Sequence, residues 1–330
     1  MDELVELDGL LEGLPRPDEA ARAAVSARAA EVLRPTGALA RLDEVAVWLA
    51  GWSGAPPRVS SPACIVFVAD HGVAVEGVSA YPAEVTASVL EALRAGAATA
   101  PVLAAEVGAA FAVVDVGVGR PTGNLRVEPA LDPERFVASV ATGRRAVAET
   151  ACDLLVLGEM GIGNTTSAAA VAATLFGGPV EQWTGRGTGV DEEAYGRKLA
   201  VVEGARRRVG DDAPPRQVLR EVGGAELAAI LGALIEARLR SVPVILDGFV
   251  VTAAAAALEL WAPGAVDHCV AGHRSSEPGH ALLLEKLGMR PLLDLDLRLG
   301  EGSGGLLAVP LVRAAAAAVS GVATFEEWGA

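Results

Sequence analysis

The chain has 330 residues, 52% of them apolar but only 4% aromatic, so a large core has to be assembled from Ala, Val and Leu in closely stacked layers. Its 42 acidic residues outnumber 27 basic ones, and the resulting formal charge of −15 repels phosphate backbones and anionic lipid, which excludes nucleic acid and membrane surface as partners. Three widely spaced cysteines, Cys64, Cys152 and Cys269, make neither a C-x-x-C pair nor an even framework and point to a reducing cytoplasm.

From the start, MDELVELDGLLEGLP is acidic and lacks the basic flank of a secretion signal. Residues 17–50 carry Ala, Val and Leu at helical spacing, interrupted at Pro35 and Gly37, which predicts two helices and a turn with no strand before them. A unit then recurs: a short apolar run, a polar or Gly-rich corner, an Ala-rich helix. The runs are CIVFVAD (64–70), FAVVDVG (111–117), LLVLGEMG (154–161), VPVILDG (242–248) and VDHCVAGH (266–273). Each is apolar throughout rather than alternating, as expected of strands covered on both faces of a doubly wound, mainly parallel α/β sheet. Their polar ends, Asp70, Asp115, Glu159, Asp247 and His273, are expected to converge on one cleft, because open α/β sheets bind ligands beyond the carboxyl ends of their strands. The Ala-rich runs near 252–258 and 314–318 are too short or too interrupted to span a bilayer.

Five stretches carry the polar chemistry. LVLGEMGIGNTTSAAA (155–170) runs through Gly158, Gly161 and Gly163 to Asn164 and Thr165 at a helix start, where backbone amides and the helix dipole suit a phosphate. An ordinary strand-to-helix turn with a threonine cap fits the same residues. Glu159, unhelpful to a phosphate, suits another part of a ligand. EQWTGRGTGVDEEAYGRK (181–198) adds a second glycine loop at Gly185, Gly187 and Gly189, then a helix from near Asp191 that bears Lys198, one of the chain's two lysines. A surface turn with a solvated lysine is the plainer alternative. FVADHGVAVEGVSAYPAEVT (67–86) sets Ser79, Tyr81 and Pro82 in a long corner, either a platform for a planar ring or a loop packed on itself. VDHCVAGHRSSEPGH (266–280) gathers His268, Cys269, His273 and His280 at spacings that match no zinc site, so no metal is expected, and Arg274 and Ser275 read better as contacts to an organic ligand. LRLGEGSGG (297–305) places Glu301 among four glycines, either as a reactive carboxylate or as a charge ahead of a helix from Leu306.

Taken in order, ADHGVAVEGVSAYPAEVT, GEMGIGNTTSAAA, GRGTG with Lys198, LDGFVVTAAA, GHRSSEPGH and LDLDLRLGEGSG make most of the chain resemble the nicotinate-nucleotide:dimethylbenzimidazole phosphoribosyltransferase family. The resemblance implies a large α/β domain (41–288), a small helical domain built from both chain ends (1–40 and 289–330), a homodimer and no cofactor. It implies transfer of phosphoribose from nicotinate mononucleotide to a benzimidazole, in assembly of the cobalamin lower ligand. In that scheme Glu301 is the general base. Gly161, Gly163, Asn164, Thr165, Gly187 and Lys198 hold the donor phosphate and ribose, Glu159 and Ser275 face its nicotinate, and Ser79, Tyr81, Pro82, Ser88 and Leu299 line the acceptor pocket. Asp247 is a polar candidate with no role assigned. Many members carry glutamine at the positions of Ala83 and Ser88, so the resemblance leaves the preferred acceptor base open.

Two rivals fit less well. A nicotinamide-dinucleotide oxidoreductase needs G-x-G-x-x-G after its first strand, whereas this chain has ADHGVAVEG there and VGVGRPTG (116–123) runs into proline. A passive nucleotide-binding module gains nothing from carboxylates at 159 and 301.

Overall fold

The computed structural model describes residues 2–329, with side chains from Leu7 onward. Three helices precede any strand: α1 (Asp2–Glu12), α2 (Glu19–Glu31) and α3 (Arg41–Ser53). The α/β units follow as β1 (Pro62–Ala69), α4 (Val85–Arg94), α5 (Thr99–Glu106), β2 (Ala110–Gly117), α6 (Pro133–Ala148), β3 (Leu154–Met160) and α7 (Asn164–Phe176). Next come α8 (Glu192–Val209), α9 (Pro215–Val222), α10 (Ala225–Leu239), β4 (Val244–Leu246), α11 (Phe249–Trp261) and β5 (Cys269–Ala271). The chain closes with β6 (His273–Arg274), α12 (Pro278–Lys286), β7 (Leu293–Asp294), α13 (Ser303–Ser320) and α14 (Phe325–Trp328).

Five strands form one parallel sheet in the order β2-β1-β3-β4-β5. Along β1, Ala63, Ile65, Phe67 and Ala69 enter one core while Cys64, Val66 and Val68 enter the other, which is why the run is apolar at every position. The first core is filled from α6, α7 and α8 to α11; the second from α2, α3, α4, α5 and α13. Helices from both ends of the chain thus share one face of the sheet, and α3, which follows the expected boundary at residue 40, packs on α2 and α13.

Two features depart from expectation. The run 266–273 splits: β5 stays in the main sheet, whereas β6 pairs in parallel with β7 as a separate two-stranded element. Gly272 marks the break, where a Cβ would lie 2.7 Å from Ile245 and 2.9 Å from the backbone of Gly305. The 314–318 alanines belong to the 18-residue helix α13, which by length and mean hydropathy is apolar enough to cross a membrane. It is a core helix instead: its apolar face is buried on α3, α5 and β3, and Arg313 near its middle donates to the Val107 carbonyl.

Candidate active site

The strand order reverses at the β1/β3 boundary, and in doubly wound sheets that switch point opens a crevice at the strands' carboxyl ends. The cleft lies one strand over from that boundary, at the carboxyl ends of β3 and β4, walled by residues 159–162, Asn164, Thr165, Gly187, Thr188, residues 248–250, His273, Ser275, Glu277 and residues 298–300. Its enclosed part is about 110 Å³, well short of the roughly 300–1,000 Å³ usual for ligand pockets. A nucleotide seated here must extend toward the open rim.

One wall is a cradle for an anion. No side chain caps α7, since Gly163 stands at its N-cap; the Asn164 and Thr166 amides bond to the Gly161 and Gly163 carbonyls, and Asn164 and Thr165 present the positive end of the helix dipole to the cleft. Lys198 projects from α8, fully buried, and donates to Thr165 Oγ1 (3.1 Å). Among the described residues no carboxylate lies within ion-pair distance of it. Burial pulls this ammonium below the usual lysine range, with Glu277 acting in the other direction. Glu277 Oε1 in turn accepts from the Gly187 amide (2.7 Å) and so ties the second glycine loop to the mouth of β6. Ser275 is oriented from below: Thr252 Oγ1 donates to the Gly248 carbonyl (2.8 Å) and therefore accepts from His280 Nε2 (3.0 Å). His280 Nδ1 is then left to accept from the Ser275 amide (3.0 Å) and hydroxyl (2.9 Å). Burial pushes His280 down to about 3, so it is neutral at physiological pH.

The opposite wall carries the carboxyls. Glu159, at the end of β3, accepts from Asn164 Nδ2, and burial, then the charges of Asp247 and Glu226, pushes its carboxyl well above the usual range. A protonated Glu159 is a hydrogen-bond donor, the form suited to facing a ligand carboxylate. Glu301 sits in a turn of three successive left-handed residues, Gly300 (φ +83°), Glu301 (φ +61°) and Gly302 (φ +80°). For a residue with a side chain that conformation costs about 1–3 kcal/mol, so the flanking glycines make the turn possible. The turn is pressed onto β3: the Glu301 amide donates to the Glu159 carbonyl (3.1 Å), and a Cβ on Gly158 would lie 2.3 Å from the Gly302 nitrogen. Glu301 is 7% exposed and, among the described residues, pairs with no arginine or lysine and keeps Oε2 buried without a hydrogen-bond partner. Burial raises its carboxyl above the ordinary value, the Ala100 amide in the first turn of α5 lowers it, and Asp247 raises it further. Gly300 lines the cleft itself, while the Glu301 side chain is directed to the α5 side of it.

A family model described as phosphoribosyltransferase matches residues 14–329. The chain is 49% identical over 331 residues to a nicotinate-nucleotide:dimethylbenzimidazole phosphoribosyltransferase of Ruegeria pomeroyi, covering 100% of this chain and 98% of the relative. It is 47% identical over 322 residues to the enzyme of the same name from Cereibacter sphaeroides, covering 97% and 95%. The crystal structure of CobT from Thermus thermophilus superposes with a TM-score of 0.91 at 44% identity, covering 94% of this chain and 98% of that one. The chain belongs to the nicotinate-nucleotide:dimethylbenzimidazole phosphoribosyltransferase family.

Against the family scheme, the structure brings Glu159, Gly161, Asn164, Thr165, Gly187, Ser275 and Leu299 into one cleft wall, with Gly163 and Lys198 directly behind it. Asp247 lies buried under the floor. Tyr81 and Pro82 are exposed, Ser88 is exposed on α4, and none of the three is in the cleft wall. Ser79 reaches the wall through Thr188, whose Oγ1 lies 3.1 Å from Ser79 Oγ and accepts from the Ala80 amide (2.9 Å). Of the five strand-end residues expected to converge, Asp70 and Asp115 do not. Asp70 accepts from the Gly119 amide (2.7 Å), Asp115 caps its own strand end and pairs with Arg94, and both serve the β2 side of the sheet, away from the cleft at β3 and β4. Glu277, Thr188 and a buried Ser167–His71–Glu226 chain went unmarked in the sequence reading. His71 lies 2.6 Å from Glu226 Oε1 and 3.0 Å from Ser167 Oγ, beneath the Gly161 corner. Glu277 sits inside GHRSSEPGH, immediately before a proline that opens α12, and that position was its only signal.

Proposed function

We propose that this chain transfers the 5-phosphoribosyl group of nicotinate mononucleotide to 5,6-dimethylbenzimidazole or a related base, giving α-ribazole 5′-phosphate and nicotinate for cobalamin nucleotide-loop assembly. The observation that carries the reading is Glu301: a carboxylate buried without a cation, one oxygen unpaired, on a strained turn bonded to the strand that ends in the anion cradle. The donor's ribose is held on a cationic pyridinium nitrogen. As the glycosidic bond breaks, its electron pair neutralises that ring, and no acid is needed. The acceptor attacks C1′ from the opposite face through one ring nitrogen, which inverts the β-linkage to α. The proton on its other nitrogen becomes acidic as the new bond forms and passes to Glu301. Holding both substrates in line supplies much of the remaining acceleration. Lys198 and Thr165 take the phosphate at the positive end of α7, and Glu159, whose carboxyl burial pushes well above the usual range, faces the nicotinate with Ser275. Leu299, 53% exposed in the cleft wall, offers apolar surface for the acceptor ring, and the exposed Tyr81, on the loop tied to that wall through Thr188, is assigned to the same ring.

The test is Glu301→Gln, assayed with both substrates and product identified by mass spectrometry. Turnover is expected to fall about 10²–10⁴-fold with the donor KM within about twofold of wild type. Equal turnover rejects Glu301 as the base. The same reading carries a cytoplasmic homodimer, supported by the half-exposed edge strand β2 and by Val102 standing 58% exposed on the neighbouring α5. Light scattering is expected to give twice the chain mass, and a monomer at micromolar concentration overturns that assignment.

A further inference from the structure

The turn that carries Glu301 is also the start of α13, and this 18-residue helix has no side-chain cap of its own. Its leading amides are satisfied from elsewhere in the fold. Asp247, fully buried at the carboxyl end of β4, accepts from the Gly302 amide through Oδ2 (3.0 Å) and from the Gly305 amide through Oδ1 (2.9 Å). One carboxylate from a central strand thus caps the helix across 55 residues of sequence and grips both ends of its first turn. The negative charge also lies on the positive end of the helix dipole. Around it, His273 from β6 packs edge-on against Gly304, its Nε2 3.3 Å from Asp247 Oδ1 without hydrogen-bond alignment. Ser303 Oγ donates to the Gly300 carbonyl (2.7 Å) and closes the turn from within. A strained conformation persists only where its surroundings over-determine it, and here Asp247 makes the contacts that no other residue replaces.

We infer that Asp247 is a positioning residue that clamps the Gly302–Gly305 turn and thereby fixes where the Glu301 carboxylate stands relative to the acceptor. This rests on the assignment of Glu301 as base. The ionisable groups facing the pair are Glu159 from β3, His273 from β6, His280 from α12 and the Cys64 thiol from β1, with Glu226 of α10 acting on Glu159. No lysine or arginine lies within ion-pair distance of Asp247 or Glu301 among the described residues. Asp247 is therefore a source of negative potential at Glu301 as well as a clamp.

Asp247→Asn keeps the volume, removes the charge and one acceptor, and separates the two roles from simple folding. Expected are an unchanged far-UV spectrum, a donor KM within about twofold, and a kcat lower by about tenfold to a hundredfold, the scale of a base displaced by about an ångström. The acidic limb of the kcat profile moves to lower pH, because Asp247 raises the carboxyl of Glu301 and that contribution is gone. Unchanged kcat, or a lower kcat with the limb unmoved, overturns the inference. Should the variant fail to fold, amide exchange in the wild-type protein decides: the Gly302 and Gly305 amides are expected to be protected by about 100-fold or more over free peptide, and rapid exchange at both rejects the clamp. Failure of the base assignment is distinguishable, since it shows as full turnover in Glu301→Gln whatever Asp247→Asn does.

Discussion

Lys198 illustrates how little of a functional side chain's environment is visible in its sequence neighbours. On α8 it follows Arg197, which is exposed and paired with Glu193 and makes an ordinary surface contact. Lys198 points the other way, into the protein, where one hydroxyl is its only hydrogen-bond partner among the described residues. An ammonium buried in this way is costly unless an anion completes the site. Replacement by methionine keeps the stem and removes the charge. A charge-assisted hydrogen bond contributes about 1.5–3 kcal/mol, so Lys198→Met is expected to raise the donor KM by roughly tenfold to a hundredfold, read by steady-state kinetics. The unliganded Tm should hold or rise, because the unpaired charge is gone. A fall in Tm with an unchanged KM assigns Lys198 to structure and removes it from the cradle. Lys198 has a lowered ammonium pKa, so the free protein loses its cradle charge at a lower pH than an ordinary lysine would, and donor affinity weakens early on the alkaline side.

Strands and helices divided cleanly in what could be read ahead of the structure. All five main strands appear where continuous apolar runs predict them, because in β1, β3, β4 and β5 burial on both faces leaves no polar alternation to obscure the pattern, and the half-exposed edge strand β2 keeps the same apolar run. The helix bearing Lys198 begins after Asp191, whose side chain accepts from the Ala194 amide as a cap should. The order of the strands was not readable, since runs of Val and Leu carry no register, and the mistaken convergence of Asp70 and Asp115 follows directly from that. Two-residue strands such as β6 and β7 are below what periodicity resolves. For the site, glycine-rich corners flagged the cradle, whereas the glycines around Glu301 have a backbone reason that the sequence does not display. Left-handed backbone at Gly300 and Gly302 and the close contact of Gly302 with Gly158 require them. Asp247 and the His71–Glu226 pair were invisible in role because their partners are 55 and 155 residues away.

Taken as one body, the molecule ties its two chain ends together far from the cleft. Arg28 on α2 donates to the carbonyls of Val319 and Val322 at the end of α13 and pairs with Glu327 on α14 (3.0 Å). Val32 and Thr324 add an isolated antiparallel bridge beside them. An 18-residue helix is about 27 Å long, so this lock is remote from the Glu301 turn at the other end of α13 and should govern stability without touching turnover. Glu327 is held down to about 2, first by its hydrogen bond with Arg28 and then by the Thr324 amide. A carboxylate depressed in the folded state contributes stability that is complete above its unfolded value, near 4.5, and is lost as pH falls toward 2. The pair is solvent-exposed, so the contribution is small. Glu327→Gln is therefore expected to melt slightly below wild type at neutral pH, with the gap narrowing steadily once the pH drops below the unfolded carboxylate value. Its kcat at low temperature should match wild type. A gap independent of pH shows that the capping contacts at Thr324, rather than the ion pair, join the ends, and a lowered kcat shows that strain at the far end of α13 does reach the base.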